Sequence, residues 1–155
     1  MKKITFTLAL LLCCGSAFAF DTVVDNITTG FSRDNRLEVV RDNIYKLMWQ
    51  DGDLPPFRMY YDKAVHYCEN LNFAGFDDWR LPTVNELLSI IDYSKYSSAM
   101  NLAFKYADIP SGNYWSSTKS ADDSSDVWVV DFDNGEDFHY SVSSNKGLVR
   151  CVRQY

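Results

Sequence analysis

The side chains in this sequence that could do chemistry are few. The 155 residues contain four cysteines and two histidines. Cys13 and Cys14 are adjacent, and Cys68 and Cys151 stand alone. His66 falls on a polar-to-intermediate face of a predicted helix, and His139 on the outward face of a predicted strand, so both are expected at the surface. No CxxC or HxxxH spacing suits zinc. Neither a GxSxG elbow nor a phosphate-cradling glycine loop occurs. Hard oxygen ligands do gather. Asp131, Asp133, Asn134 and Glu136 cluster at a predicted hairpin tip, preceded by Asp122, Asp123 and Asp126. Such a set is a weak calcium candidate, but its spacing is not that of an EF-hand loop, and carboxylates that merely solvate the hairpin end account for it better. No cofactor is expected.

The N-terminus decides which cysteines count. Lys2 and Lys3 precede an apolar run from Ile4 to Cys14, and Ala17-Phe18-Ala19 supplies the small-x-small pattern read by signal peptidase. The run is shorter than the ~20 residues needed to span a bilayer, and no second apolar segment follows. We therefore expect a signal peptide over residues 1–19, no membrane span, and a periplasmic or secreted mature protein. Removing 19 residues leaves 136, a single-domain length. The mature chain then keeps Cys68 and Cys151, which in an oxidising compartment have one pairing available. The alternative is two buried free thiols. Without Lys2 and Lys3, 13 basic side chains face 21 acidic ones, a net charge of −8. A domain this acidic is a poor nucleic-acid binder.

The elements that must position these groups are legible in outline. Residues 20–35 have no clear period and read as an extended lead-in. Arg36–Arg41 and Ile44–Gln50 are β-rich runs around Asp42-Asn43, which predicts a tight hairpin. Met59–Leu71 reads as a helix with Ala64, Cys68 and Leu71 on one face. Pro82, then Thr83 with Glu86, mark the capped start of a second helix running to about Asp92. Residues 93–112 read as a long aromatic loop. Tyr114–Thr118, Val127–Asp133, Glu136–Val142 and Leu148–Arg153 read as strands. Asn134-Gly135 is a hairpin turn signal. Trp128, Val130 and Phe132 should share one face, as should Phe138, Tyr140 and Val142. The order is α+β, with helices packed on antiparallel sheet and the first and last strands close together.

Several spaced motifs carry a resemblance over most of the mature chain. They are Leu47-Met48-Trp49-Gln50, Ala64 with Tyr67-Cys68 and Leu71, Gly75 with Asp78-Trp79-Arg80-Leu81-Pro82-Thr83 and Glu86-Leu87, Tyr114-Trp115-Ser116-Ser117-Thr118, and Val149-Arg150-Cys151-Val152-Arg153. Residues 36–155 thereby resemble the Lcl C-terminal domain family, named for a bacterial collagen-like adhesin and long catalogued as a domain of unknown function. That family is similar to C-type-lectin-like folds and to the formylglycine-generating, sulfatase-modifying enzymes. The resemblance implies a C-type-lectin-like α+β fold in which Cys68 on the first helix pairs with Cys151 on the last strand. It implies scaffold more firmly than activity. Trp49, Trp79 and Trp115 are expected in or near the core, and Arg80 as a structural cation.

Lectin-like folds present ligands on long loops, where function concentrates. The candidate ligand-binding residues are Tyr93, Tyr96, Asn101, Phe104, Tyr106, Asp108, Asp122 and Asp123, with the Asp131–Glu136 tip nearby. Tyrosine rings stack on sugar faces, and Asn and Asp accept hydrogen bonds from hydroxyls. The expectation is a non-enzymatic module that binds a carbohydrate or glycan-bearing surface. An alternative is a protein–protein interaction module in a cell-envelope assembly. Another is a degenerate enzyme of the sulfatase-modifying type, although those enzymes need a further cysteine pair that this mature chain lacks.

Overall fold

The computed structural model describes residues 24–26, 30–95, 98–105 and 112–155. The expected signal peptide lies outside them. The strands are β1 (Val24–Asn26), β2 (Phe31–Asp34), β3 (Val39–Asp42), β4 (Leu47–Gln50), β5 (Asn113–Lys119), β6 (Asp126–Asp131), β7 (Glu136–Ser141) and β8 (Val152–Gln154). The helices are α1 (Tyr61–Glu69) and α2 (Val84–Ser89). Both sheets are antiparallel, one ordered β1-β2-β3-β4-β8 and the other β5-β6-β7. The α+β reading therefore holds.

Three hairpins share one construction. The closing pairs are Asp34↔Val39, Asp42↔Leu47 and Asp131↔Glu136, so each loop holds four residues. In each, the aspartate that ends the first strand accepts hydrogen bonds from loop amides. Asp34 takes those of Arg36 and Leu37, Asp42 those of Ile44 and Tyr45, and Asp131 that of Asp133, all at 2.8–3.0 Å. The fourth loop residue is left-handed each time: Glu38 at φ 54°, Lys46 at 59° and Gly135 at 79°. This corrects the expected tight turns. Asp42-Asn43 and Asn134-Gly135 lie at the start and end of wider loops, because an aspartate side chain that caps the loop amides replaces the two-residue turn. Asp133 is consequently in the turn and not on β6.

The lead-in is also more ordered than expected. Part of it, Phe31–Asp34, pairs along its whole length with β3, and β1 pairs with β2. The last strand joins the same sheet beside β4, with Trp49 opposite Val152. It is shorter than Leu148–Arg153, since Leu148 forms only an isolated bridge to Tyr114.

Two apolar clusters fill the interior, one containing Val40, Leu47, Trp49, Leu87, Phe104, Tyr114, Val130 and Phe132, the other Val39, Met48, Cys68, Trp79, Trp115, Val127, Val129 and Cys151. Successive residues of β3, β4, β5 and β6 point to opposite clusters, so these strands are covered on both faces. That is why they lack clean alternation. It also corrects the expected Trp128–Val130–Phe132 face: Val127 and Val129 are as buried as Val130, while Trp128 is only half-buried. Phe138, Tyr140 and Val142 do pack together against the second cluster.

Cys68 and Cys151 are disulfide-bonded, with Cα atoms 5.5 Å apart. The bridge joins α1 to the segment entering β8 and closes a separation of 83 residues. Helix α2 begins where expected. Thr83 accepts the Glu86 amide and Glu86 accepts the Thr83 amide, a complete capping box. It ends at Ser89, short of Asp92. An irregularity in β5 between Trp115 and Lys119 turns Ser117 onto the Pro82 carbonyl and Thr118 onto the Val84 amide, which docks the helix start on the sheet.

Candidate functional site

The segment after α2 folds back on itself through the Ile91–Met100 bridge. The Ala99 amide then donates to the Phe132 carbonyl at 2.7 Å, which sets the segment against the β6–β7 loop. Tyr93 stands at this junction, 72% exposed. A β-carbon built on Gly135 would lie 3.6 Å from its ring and 3.2 Å from Ile91. The loop tip therefore rests on the tyrosine, and glycine suits both the close approach and the left-handed backbone. Asp133 is half-buried here, while Asn134 and Glu136 are exposed. Asp92 accepts the Ser94 amide and hydroxyl at 3.1 and 2.6 Å. These bonds, helped by Lys95, hold its carboxyl below the usual range. Tyr93 is thus an exposed ring, next in sequence to Ser94 and beside the loop that carries Asn134 and Glu136.

The other expected ligand residues do not join it. Phe104 is a core residue, 2% exposed, and stacks edge-on with Phe31 and Trp49. Asn101 is buried too, its carbonyl oxygen taking the Ala103 amide at 2.9 Å. Part of the aromatic loop thus pins itself to the interior. Asp122 and Asp123 are exposed, but they lie in the β5–β6 loop, at the opposite end of β6 from the hairpin tip. At ~3.3 Å per residue the two ends of that strand are about 17 Å apart. Asp123 caps its own turn, accepting from the Ser125 amide and hydroxyl. Tyr96, Tyr106 and Asp108 lie outside the described residues.

At the hairpin tip the oxygen ligands serve the turn itself. Asp131 takes the Asp133 amide, and Asn134 both accepts the Glu136 amide and donates to the Glu136 carboxylate. Among the described residues no three His, Cys, Asp or Glu side chains converge as a metal-binding group.

The sequence reading missed a buried charge network. Asp51 is fully buried and ion-pairs with Arg33 and with Arg150, the latter at 2.8 Å. It also accepts the Lys105 amide, and Arg150 lies over the Phe104 ring. Burial pushes the Arg150 pKa down. Charges so enclosed organise the core and the 98–105 segment, and solvent does not reach them. Arg80, by contrast, is half-buried at the surface and grips Glu86 through two hydrogen bonds of 2.8 and 2.7 Å. Burial pushes Glu86 up, but Arg80 and the Thr83 amide outweigh it, and the carboxyl settles below its ordinary value. The role expected of Arg80 is thus the structural one. His66 and His139 are both exposed, and His139 abuts the Trp128 ring edge-on at 4.3 Å. Trp49, Trp79 and Trp115 are all buried.

Among the described residues no helix is long and apolar enough to cross a membrane. A family model, the Lcl C-terminal domain, matches residues 38–153. Comparison with curated proteins finds no match.

Proposed function

The chain belongs to the Lcl C-terminal domain family, and from that premise we propose that it is an exported, non-enzymatic binding module for a carbohydrate or glycan-bearing surface. The observation that carries the reading is Tyr93, a ring 72% exposed beside the β6–β7 loop. An exposed tyrosine offers its face to a sugar ring. Ser94 follows it in sequence, and Asn134 and Glu136 flank Gly135, so these are the polar side chains that would meet hydroxyls. The arrangement of a first helix bridged to the C-terminal strand supports a C-type-lectin-like scaffold. The disulfide supports an oxidising compartment, periplasmic or extracellular. It also removes both thiols from chemistry, which weighs against a sulfatase-modifying activity.

A glycan array on the mature protein tests the reading, with Tyr93→Ala as the control. A ring that contacts ligand is worth ~2 kcal/mol or more, about thirtyfold in affinity. Loss of that order with an unchanged melting temperature is expected. Equal binding by the variant would overturn the assignment to this end of the molecule.

A second reading, a protein-interaction module of a cell-envelope assembly, is favoured by the exposed Ile44, Phe57 and Leu102 side chains, each more than 60% accessible. Co-purification of an envelope protein, lost on Phe57→Ser and indifferent to Tyr93→Ala, would select it.

A further inference from the structure

A separate cleft of about 260 Å³ lies between α2 and the edge where β4 meets β8, lined by Tyr45, Leu47, Asn85, Glu86, Ser89 and Gln154. Its walls come from α2, from β4 and β8, and from the β3–β4 loop. Asn85 and Ser89 are four residues apart and so share one face of α2. Leu47 and Gln154 are partners in the β4–β8 ladder. Tyr45 comes from the β3–β4 loop. That loop is held in place by Gln154 and Tyr155. The Gln154 carboxamide donates to the Tyr45 carbonyl at 3.3 Å, the Tyr155 amide to the Lys46 carbonyl at 3.0 Å, and the Tyr155 hydroxyl to Asn43 at 2.9 Å. The tyrosine is therefore presented, 62% exposed, on a backbone fixed at several points.

The lining chemistry selects among ligands. Leu47 is 3% exposed and supplies an apolar floor. Asn85 is exposed and makes no intramolecular side-chain hydrogen bond among the described residues, so a donor and an acceptor stand open. Gln154 spends its nitrogen on Tyr45 and leaves its oxygen available. The one charged group, Glu86, is matched by Arg80. The cleft is thus close to electrically neutral within an acidic protein. An anionic ligand meets no cation that is not already paired, and a cationic one meets a carboxylate already held by guanidinium. What remains is an aromatic face, an aliphatic floor and two carboxamides. The volume sits just below the ~300 Å³ at the lower end of ordinary ligand sites, which suits one ring and not an enclosed chain.

We propose that this cleft binds a single neutral, hydroxyl-bearing ring, a saccharide residue stacked on Tyr45 with its hydroxyls bonded to Asn85 and Gln154. The site shares no residue with the Tyr93 surface and does not depend on it. The ring is either a free monosaccharide or the terminal residue of a glycan, and the two sources are separable.

The test is saturation-transfer NMR on the mature protein with neutral hexoses, their methyl glycosides, the same sugars as oligosaccharide termini, and glucuronate. The measurement is made in the Tyr93→Ala background, which removes the loop-end surface; transfer to at least one neutral sugar is expected there, reduced tenfold or more when Tyr45→Ala or Asn85→Ala is added at unchanged melting temperature. Binding of the free hexoses identifies a monosaccharide site, and binding of the oligosaccharide termini alone a glycan-end site. The proposal is overturned if no neutral sugar shows transfer, if glucuronate binds as well as the neutral hexoses, or if the Tyr45 and Asn85 variants bind like their Tyr93→Ala parent. Loss in Tyr93→Ala alone would locate all sugar binding at the loop end.

Discussion

At the residue scale, the most consequential side chain is one the sequence hides. Asp51 follows Gln50 and opens a turn-rich stretch, Asp51–Phe57, whose local pattern gives no sign of burial. In the fold it is fully buried between Arg33 and Arg150, at separations of 18 and 99 residues. No local pattern announces such a meeting, because each charge is costly to bury until the others arrive. Asp51→Asn should therefore destabilise the domain by about 3–5 kcal/mol, since it leaves two buried guanidinium groups short of a counter-charge. Urea denaturation measures this, and a loss under 1 kcal/mol would show that the network contributes little. Phe104 belongs to the same group. A loop phenylalanine among tyrosines reads as a sticky surface ring, but Arg150 and Trp49 draw it inside. Tyr93, of similar sequence character, remains outside.

At the element scale, the hairpins and α2 show how a local motif acts at one remove from where it is read. The aspartate that ends each first strand governs the loop, and the left-handed residue stands four positions later. At Lys46 this conformation falls on a non-glycine residue at φ 59°, which costs roughly 1 kcal/mol. Lys46→Gly should recover most of that and raise the melting temperature by a few degrees. An unchanged or lower value would show that the lysine stem compensates. The start of helix α2 is legible in the sequence, because the capping box is a contiguous signal, while its end at Ser89 is not. Glu86 also makes α2 acid-sensitive. Its carboxyl is held below the ordinary value by Arg80 and the Thr83 amide. The stabilisation is thus complete above the unfolded-state pKa of about 4.3, and is lost as pH falls through the folded value. The stability gap between the parent and Glu86→Gln should be full at pH 7 and should narrow as pH falls below the unfolded-state pKa, through the lower folded value. A gap independent of pH would remove charge from the explanation.

At the scale of the whole molecule, the disulfide and the two-sided core hold the two sheets together. Closing 83 residues through Cys68–Cys151 corresponds to about 4.5 kcal/mol by chain entropy, less any strain. That is a large share of the 5–15 kcal/mol that a small domain has in total. The Cys68→Ala/Cys151→Ala variant should lose much of it in thermal or urea denaturation. Protein isolated from the periplasm or medium should take up no alkylating agent before reduction. Two alkylated cysteines would contradict the bridge in the mature protein. Acidity reads differently at this scale. Asp34, Asp42, Asp92, Asp123 and Asp131 each cap a turn, so five of the 21 acidic side chains are architectural.

Local physics alone determined the α+β class, the capped start of α2 and the approximate spans of α1, β5, β6 and β7. Each depends on residues a few positions apart, whose periodicity or hydrogen bonding is complete within one segment. The pairing of Cys68 with Cys151 was implied by the family resemblance, and the tertiary structure brings the two together across 83 residues. Tertiary structure alone decided the rest. It turned Phe31–Asp34 from a lead-in into a sheet strand, because a polar run gains its order from the β3 edge it meets. It divided the candidate ligand residues between the two ends of β6 and the core, because loops adjacent in sequence leave a sheet at different places. It also brought Tyr45, Asn85 and Gln154, separated by 40 and 69 residues, around one cleft, because strand pairing and helix docking set that geometry and neither is encoded within any one of the three segments.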